Sequence, residues 1–299
     1  MAISVKALHA LFVGEIRGPD LRDPVDQPTL REIVQALDHY AVLVFRDQPL
    51  TDNEQIAFSS LFGPLETAVG SLRCDRKSRL GNRLLADVSN LDENNNIRSE
   101  SDSWRRMQLA NQLWHTDSSF KTVPGMLSFL SARELPPSGG ETEFADLRAA
   151  YDGLDTLTQD RIRDLEAEHS ISYSRSLTGY NDFTDEQRAA FPPVPRSLVR
   201  VHPGSGRRTL YLASHASRII GWPAERGRAL LARLIEGATR PQFVYRHDWQ
   251  LNDLVVWDNR CTMHRARPYD DVEYRRDMRR TTVADTDFTS MVSAQCATP

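Results

Sequence analysis

The chain has 299 residues, of which 40% are hydrophobic and 26% are charged, so a sizeable core can form and global disorder is excluded. Its 37 Lys and Arg against 41 Asp and Glu give a formal net charge of -4, which argues against nucleic acid as the main partner. No apolar run approaches the roughly 18 residues that span a bilayer. The first residues do not form a signal-peptide pattern, and three cysteines are too few for a disulfide framework. These features predict a soluble, cytoplasmic globular protein that binds neither nucleic acid nor a membrane.

The first part of the chain predicts two helices with a buried strand between them. Apolar residues recur at helical spacing over 28–39, and Pro28 suits the first turn of a helix. The apolar run at 41–45 is typical of a buried strand. Thr51 and Glu54 have capping-box spacing, so a second helix is expected to begin there.

The rest of the chain predicts short strands, two longer helices and two long loops. The loops cover about 67–110, with one short strand inside, and 172–195, with one short helix inside. Helices are expected at 147–168 and 223–238. Strands are expected at about 113–119, 126–132, 141–145, 198–202, 209–213, 243–247, 254–258 and 279–283. Because strands and helices do not alternate regularly, we predict a mainly β protein with flanking helices rather than a doubly wound nucleotide-binding fold.

The most informative motif is Trp-His-Thr-Asp, which places His115 two residues before Asp117. On a strand, residues i and i+2 point to the same face, so the imidazole and the carboxylate could meet at one point. His264 follows the predicted strand at 254–258 much later in the chain. Two histidines and one carboxylate form the facial triad of non-haem Fe(II) oxygenases, which leaves open positions for a bidentate cosubstrate and O₂. A His-x-Asp pair by itself is more often a hydrogen-bonded pair than a set of metal ligands.

A second motif, Arg-Arg-Asp-Met-Arg-Arg, occupies residues 275–280. On a strand, Arg276 and Arg280 would share a face. A guanidinium binds a carboxylate through two parallel hydrogen bonds, which lysine cannot match. Inward-facing arginines beside a metal would therefore suit a diacid cosubstrate and an anionic substrate. From composition alone, a solvated edge strand is an equally good interpretation of the same residues.

Together, five stretches resemble the Fe(II)/2-oxoglutarate-dependent dioxygenases of the taurine dioxygenase group. Within that group the chain looks most like the 2,4-dichlorophenoxyacetate, or aryloxyalkanoate, dioxygenases. The matching stretches are LVFRDQPLTDNEQIAFSSLFGPLE (43–66), ANQLWHTDSSF (110–120), PPSGGETEFADLRAAYDGL (136–154), FVYRHDWQLNDLVVWDNRCTMHRARPYD (243–270) and RRDMRRTTV (275–283). The resemblance implies a double-stranded β-helix, or jelly-roll, core with flanking helices. It further implies one dioxygenase domain over 1–299, with loops at about 67–110 and 172–195 that cover the substrate.

The resemblance also implies roles for individual residues on the metal and cosubstrate side. His115, Asp117 and His264 match the family's iron ligands. Thr142 matches the threonine that hydrogen-bonds the distal carboxylate of 2-oxoglutarate, and Arg276 matches the arginine that forms a salt bridge with it.

On the substrate side, Arg280 matches the arginine that pairs with the anionic group of the substrate. The segment before the arginines is one residue longer than the family's pattern, so Arg275 and Arg279 are alternatives for the two arginine roles. The family's substrate-binding lysine has no counterpart, and Arg73 is the candidate replacement. His215 is the candidate for contact with an aromatic ring of the substrate.

The implied activity is hydroxylation of an aryloxyacetate-like carboxylate, which cleaves the ether to a phenol and glyoxylate and releases succinate and CO₂. The implied cofactors are Fe(II), 2-oxoglutarate as cosubstrate and O₂, with ascorbate as activator. A small anionic substrate and a homo-oligomeric state are expected. One alternative is a taurine or alkylsulfonate dioxygenase. Another is a catalytically silent jelly-roll binding protein with a metal site, although a closed structural zinc site would usually show four ligands.

Overall fold

A seven-stranded sheet is the largest element of the computed structural model, in which residues 3–68 and 79–287 are described. Numbered in chain order and given in spatial order, its strands are β1 (Ser4–His9), β2 (Val13–Arg17), β3 (Val42–Phe45), β13 (Leu254–Asp258), β5 (Gly125–Glu134), β15 (Asp277–Ala284) and β4 (Ala86–Ser89). The β2–β3 pair is parallel and the other neighbours are antiparallel. The apolar run predicted as a buried strand is β3, every residue of which is buried.

Three smaller sheets complete the described β structure. Their strands, again in spatial order, are β12 (Val244–His247), β6 (Thr142–Asp146) and β14 (Thr262–Ala266); β11 (Ala216–Ile219), β7 (Glu166–His169) and β8 (Val194–Ser197); and β10 (Arg208–Leu210) with β9 (Val199–Val201). The β12–β6–β14 sheet matters most for function because two predicted site residues lie on it. Its register places His264 opposite Phe144 and Ala266 opposite Thr142.

Eight α-helices are described, most of them short. They are α1 (Gln27–Tyr40), α2 (Asp52–Ser60), α3 (Ser103–Gln108), α4 (Leu147–Asp152), α5 (Thr156–Ile162), α6 (Ile171–Ser176), α7 (Asp185–Ala190) and α8 (Ala224–Ala238). The capping box predicted for α2 is confirmed: Glu54 N donates to Thr51 Oγ1 over 3.3 Å and Thr51 N donates to Glu54 Oε2 over 2.6 Å. Over residues 3–68 and 79–287, none of the helices has the length and apolar character that crossing a membrane requires.

Apolar packing joins the β12–β6–β14 sheet to the seven-stranded sheet. Phe144 on β6 and Trp257 on β13 have ring centroids 5.4 Å apart, and both side chains are fully buried. Trp257 also lies 4.7 Å from the His264 ring, between centroids. The two sheets therefore face each other, and the predicted metal ligand His264 lies against their shared core.

Several of the local predictions are wrong. Residues 113–119 do not form a strand, because His115 pairs only through an isolated bridge and Ser118 then takes a left-handed φ of 55°. The single helix expected at 147–168 is divided into α4, α5 and β7, since Asp155 caps a new helix by accepting a hydrogen bond from Thr158 N. Helix α3 lies where only loop was expected, with Asp102 as its N-cap.

Candidate active site

His115 and His264 are joined through their backbones. His115 N donates to His264 O over 2.9 Å, and His264 N donates to His115 O over 2.8 Å. The two-way bridge brings together residues far apart in the chain, so their ring centroids are only 4.2 Å apart. Both histidines are buried.

The Asp117 carboxylate lies opposite the two imidazoles. Its Oδ1 is 3.9 Å from His115 Nε2, and its Oδ2 is 3.7 Å from His264 Nε2. Two side chains hold the turn that carries Asp117. Asn259 Oδ1 accepts a hydrogen bond from Asp117 N, and the Ser128 hydroxyl donates to Asp117 Oδ2 over 2.8 Å. The three predicted ligands thus converge without the regular strand that the sequence suggested, because hydrogen bonds from β5 and from the turn after β13 set the direction of the carboxylate.

The donor set fits a divalent iron ion. The His115 Nδ1–H donates to Leu113 O over 2.8 Å, which leaves the Nε2 lone pair for a metal. Burial lowers the pKa of His115 to about 4 and that of His264 well below its ordinary value, so both imidazoles are neutral, as metal ligands must be. Burial alone would raise the pKa of Asp117, but the Arg280 guanidinium and the two histidines lower it to about 2. Two neutral imidazoles and a carboxylate, with donor atoms within 4.8 Å of one another, match the nitrogen and oxygen preference of Fe(II).

Arg280 on β15 lies directly beside this cluster. Its Nη1 is 2.5 Å from Asp117 Oδ1, while its Nε is buried and has no hydrogen-bond partner in the described part of the chain. The structure therefore places the predicted substrate-binding arginine at the edge of the metal position, with a donor still available.

Arg276 lies in a second part of the site and is also buried. Its Nη2 donates to Gly140 O over 3.1 Å, but its Nε has no partner among residues 3–68 and 79–287. Gly140 has a φ of 73°, and a Cβ added there would lie 3.2 Å from Arg276 Nε. A buried guanidinium without a counter-ion is costly, and glycine keeps the space beside it open, so these residues fit an anion such as a cosubstrate carboxylate.

Thr142 is positioned by a tryptophan. The Trp249 Nε1–H donates to Thr142 Oγ1 over 3.1 Å. Because an indole N–H can only donate, the Thr142 hydroxyl hydrogen is free to point at another acceptor. Ala266, which pairs with Thr142 across strands, and Arg276 both line a cavity of about 90 Å³. Sequence analysis does not reveal Trp249, since its spacing from the other site residues has no periodicity.

The two alternative arginines already have carboxylate partners. Arg275 is exposed and its Nε is 2.9 Å from Glu134. Arg279 points away from the site toward Asp52 on α2, with 2.6 Å between Nη1 and Oδ1. This arrangement favours Arg276 and Arg280 for the two anion-binding roles. Arg73 lies outside the described residues.

His215 lies on the other side of His115, with the ring centroids 6.1 Å apart and the side chain buried. Its Nδ1 is 2.7 Å from the Ser174 hydroxyl on α6, and its ring is 4.8 Å from that of Phe120. Arg175, next to Ser174, carries a buried Nε. Sequence analysis misses Arg175 because α6 lies in a stretch expected to be largely loop.

A second buried cluster contains His202, Asp258 and Cys261. His202 Nε2 lies 2.9 Å from Asp258 Oδ2, and Arg260 Nη2 lies 2.5 Å from the same oxygen. Because these two partners already satisfy the carboxylate, the cluster is best understood as a brace for the turn that carries Asn259.

Comparison with known proteins identifies the family. The family model described as taurine catabolism dioxygenase TauD, TfdA family, matches residues 4–282. The chain belongs to this family.

Individual relatives support the same family assignment. The chain is 46% identical over 285 residues to the alpha-ketoglutarate-dependent 2,4-dichlorophenoxyacetate dioxygenase of Cupriavidus pinatubonensis, covering 95% of this chain and 99% of the relative. It is 37% identical to the (S)-phenoxypropionate/alpha-ketoglutarate-dioxygenase of Sphingobium herbicidovorans, covering 92% of each. The crystal structure of AAD-2 in complex with Mn(II) and N-oxalylglycine matches with a TM-score of 0.88 and 47% identity, over 96% of this chain and 98% of that one.

These similarities confirm several predictions. The protein is a 2-oxoglutarate-dependent non-haem iron dioxygenase, and the mainly β fold with flanking helices is the jelly roll of this family, although its described sheets are not closed. Fe(II), 2-oxoglutarate and O₂ are its cofactors. Ascorbate as activator stays a prediction.

Proposed function

We propose that this dioxygenase hydroxylates an aryloxyacetate-like carboxylate of the 2,4-dichlorophenoxyacetate type. The observation that carries the proposal is a buried His115, Asp117 and His264 cluster next to Arg280 and Arg276, two guanidiniums with donors that the described residues leave unused. The 46% identity to 2,4-dichlorophenoxyacetate dioxygenases supports the same substrate class.

Separate residues would bind the iron and the cosubstrate. His115, Asp117 and His264 would hold the iron, which when bound activates O₂ and supplies the oxidising step. Arg276 and Thr142 would hold the distal carboxylate of 2-oxoglutarate, so the reactive end of the cosubstrate is presented toward the metal ligands. Holding both reactants in a fixed position removes much of the entropic cost of bringing them together.

On the substrate side, Arg280 would hold the carboxylate and His215 would contact the aromatic ring. One oxygen atom of O₂ enters the carbon between the ether oxygen and the carboxylate, and the other enters succinate as 2-oxoglutarate loses CO₂. The new hydroxyl makes a hemiacetal, which collapses as its proton moves to the ether oxygen. A phenol and glyoxylate are released. The segments at about 67–110 and 172–195 of the single domain are proposed to cover this substrate. In the second segment, Ser174 on α6 contacts His215, and residues 69–78 of the first lie outside the described part of the chain.

A taurine or alkylsulfonate dioxygenase is the second candidate, because the Arg280 guanidinium suits a sulfonate as well as a carboxylate. Sequence similarity supports it less, since the structure of a taurine dioxygenase from Burkholderia xenovorans is 30% identical to this chain.

We also propose that the enzyme works in the cytoplasm and forms a homo-oligomer. Cys261 is a buried free thiol, in keeping with a reducing cytoplasm. A homo-oligomer is expected, and size-exclusion chromatography with light scattering measures its mass directly.

A substrate panel tests the proposed function. Purified enzyme with Fe(II), 2-oxoglutarate and ascorbate is given aryloxyacetates, aryloxypropionates, cinnamates and taurine side by side. We expect phenol and succinate to appear in equal amounts from an aryloxyacetate. Sulfite from taurine without phenol from any acid would favour the sulfonate candidate, and no succinate with any substrate would contradict both.

A further inference from the structure

Two largely buried arginines, Arg148 and Arg260, have guanidiniums that are paired with carboxylates. Arg148 Nε lies 3.1 Å from Asp146, and Arg260 Nη2 lies 2.5 Å from Asp258. Such pairing is expected, because an unpaired buried charge costs several kcal/mol. A buried guanidinium without a carboxylate is therefore a feature that needs a physical explanation.

Arg175 on α6 is such a guanidinium. Its Nε is buried without a hydrogen-bond partner, and its Nη2 has only a long 3.4 Å contact with Asn111 Oδ1. In residues 3–68 and 79–287 no carboxylate forms an ion pair with it, since the nearby Asp117 is already paired with Arg280.

The position of Arg175 points to the substrate. Its neighbour Ser174 contacts His215, whose ring faces that of His115. Its contact Asn111 lines the cavity that reaches Arg276. The guanidinium thus lies between the proposed aromatic contact and the cosubstrate side of the site.

The charges around Arg175 also favour an anionic ligand at this position. Burial lowers the pKa of Arg175 to about 10 and the positive charge of Arg280 acts in the same direction, whereas Asp117 opposes them. Arg175 therefore stays charged at neutral pH, close enough to Arg280 for the two guanidiniums to repel each other. A monoanionic ligand between them would relieve that repulsion and supply the missing counter-ion.

We propose that Arg175 is a second substrate-binding residue, which holds the carboxylate of the substrate together with Arg280. This inference rests on the proposed function, because it names a residue of the same site.

The test compares an aryloxyacetate with its uncharged primary amide in the wild-type enzyme and in Arg175→Gln. We expect the ratio of kcat/KM for acid over amide to fall by at least roughly 30-fold in the variant, as for loss of one partner of a buried charge pair. The KM for 2-oxoglutarate should stay the same. Arg175→Lys, which keeps the charge but loses the paired hydrogen bonds, should show an intermediate ratio.

Controls keep the outcome clear. Arg233→Gln, at an exposed arginine on α8 outside the proposed substrate-covering segments, should match the wild type, and circular dichroism verifies the fold of each variant. If Arg175→Gln does not fold, Arg175→Lys carries the comparison. Equal losses with acid and amide, or a raised KM for 2-oxoglutarate alone, would overturn the proposal. If the wild type instead oxidises sulfonates, the proposed function fails while a sulfonate and its sulfonamide still test Arg175.

Discussion

The two sides of the active site are built differently. On the proposed cosubstrate side, Thr142 lies on β6, and Arg276 immediately precedes β15, where its backbone N–H donates to Asn90 Oδ1 over 2.9 Å. Of the residues proposed for the substrate side, only Arg280 lies on a strand, while Arg175 comes from the six-residue helix α6 and His215 from the residue before β11.

The difference has a functional meaning. A cosubstrate that is the same in every turnover is served by a rigid sheet, whereas substrate selection is commonly placed on loops and short elements that a rigid scaffold supports. The same iron chemistry can then serve different acids through changes in α6 and the neighbouring segments, without changes in the backbone that positions the proposed metal ligands. The following experiments test whether the two sides act separately.

The largest effect is expected from His115→Ala, because both sides depend on the metal. Losing one of three ligands should abolish Fe(II)-dependent succinate formation with every substrate. His39→Ala, at an exposed histidine, serves as the control. Normal succinate formation in His115→Ala would contradict the ligand assignment.

Asp258→Asn should destabilise the turn after β13, which carries Asn259 and so supports Asp117 between the two sides. Burial raises the pKa of Asp258, but Arg260 and the hydrogen bond from His202 lower it well below the ordinary range. Breaking such a buried pair typically costs about 3–5 kcal/mol in the free energy of unfolding. Chemical denaturation at neutral pH measures this loss.

The pH dependence of the same variant has a defined sign. Because the folded pKa is depressed, the stabilisation by Asp258 is present above the ordinary carboxyl pKa of about 4 and is lost as pH falls through the folded value. The stability difference between wild type and Asp258→Asn should therefore shrink on acidification. A difference that grows at low pH would show that another group dominates.

Arg276→Ala should affect the cosubstrate side alone. Removing one partner of a buried charge pair typically costs about 2–5 kcal/mol, so the KM for 2-oxoglutarate should rise by roughly 30-fold or more. Steady-state kinetics with varied 2-oxoglutarate measures it. Arg275→Ala is the matched control, and a rise there with none in Arg276→Ala would exchange the two roles.

Trp249→Phe should have the smallest effect, because it removes only the donor that orients Thr142. A neutral hydrogen bond contributes about 1 kcal/mol, equivalent to roughly fivefold in the KM for 2-oxoglutarate, with kcat unchanged. If Trp249 acts through Thr142, its effect should disappear in a Thr142→Val background. Fully additive effects would mean that the tryptophan acts on packing instead.

Local patterns predicted much of the molecule. The capping box at Thr51 and Glu54, the buried strand β3 and helix α8 follow from nearest neighbours along the chain. Strand alternation also separates Arg280, which faces Asp117, from Arg279, which faces Asp52. Arg276 precedes a register irregularity at the start of β15, so alternation alone could not place it.

The sequence by itself determined which residue types were available for the chemistry: two histidines, a carboxylate and a cluster of arginines at spacings typical of one enzyme family. Only the tertiary structure decided how they meet. The bridge between His115 and His264, the contact of Asp117 with Asn259 and the burial of Arg175 without a carboxylate all depend on partners distant in the chain. Such contacts arise from the packing of the sheets, which no local pattern encodes.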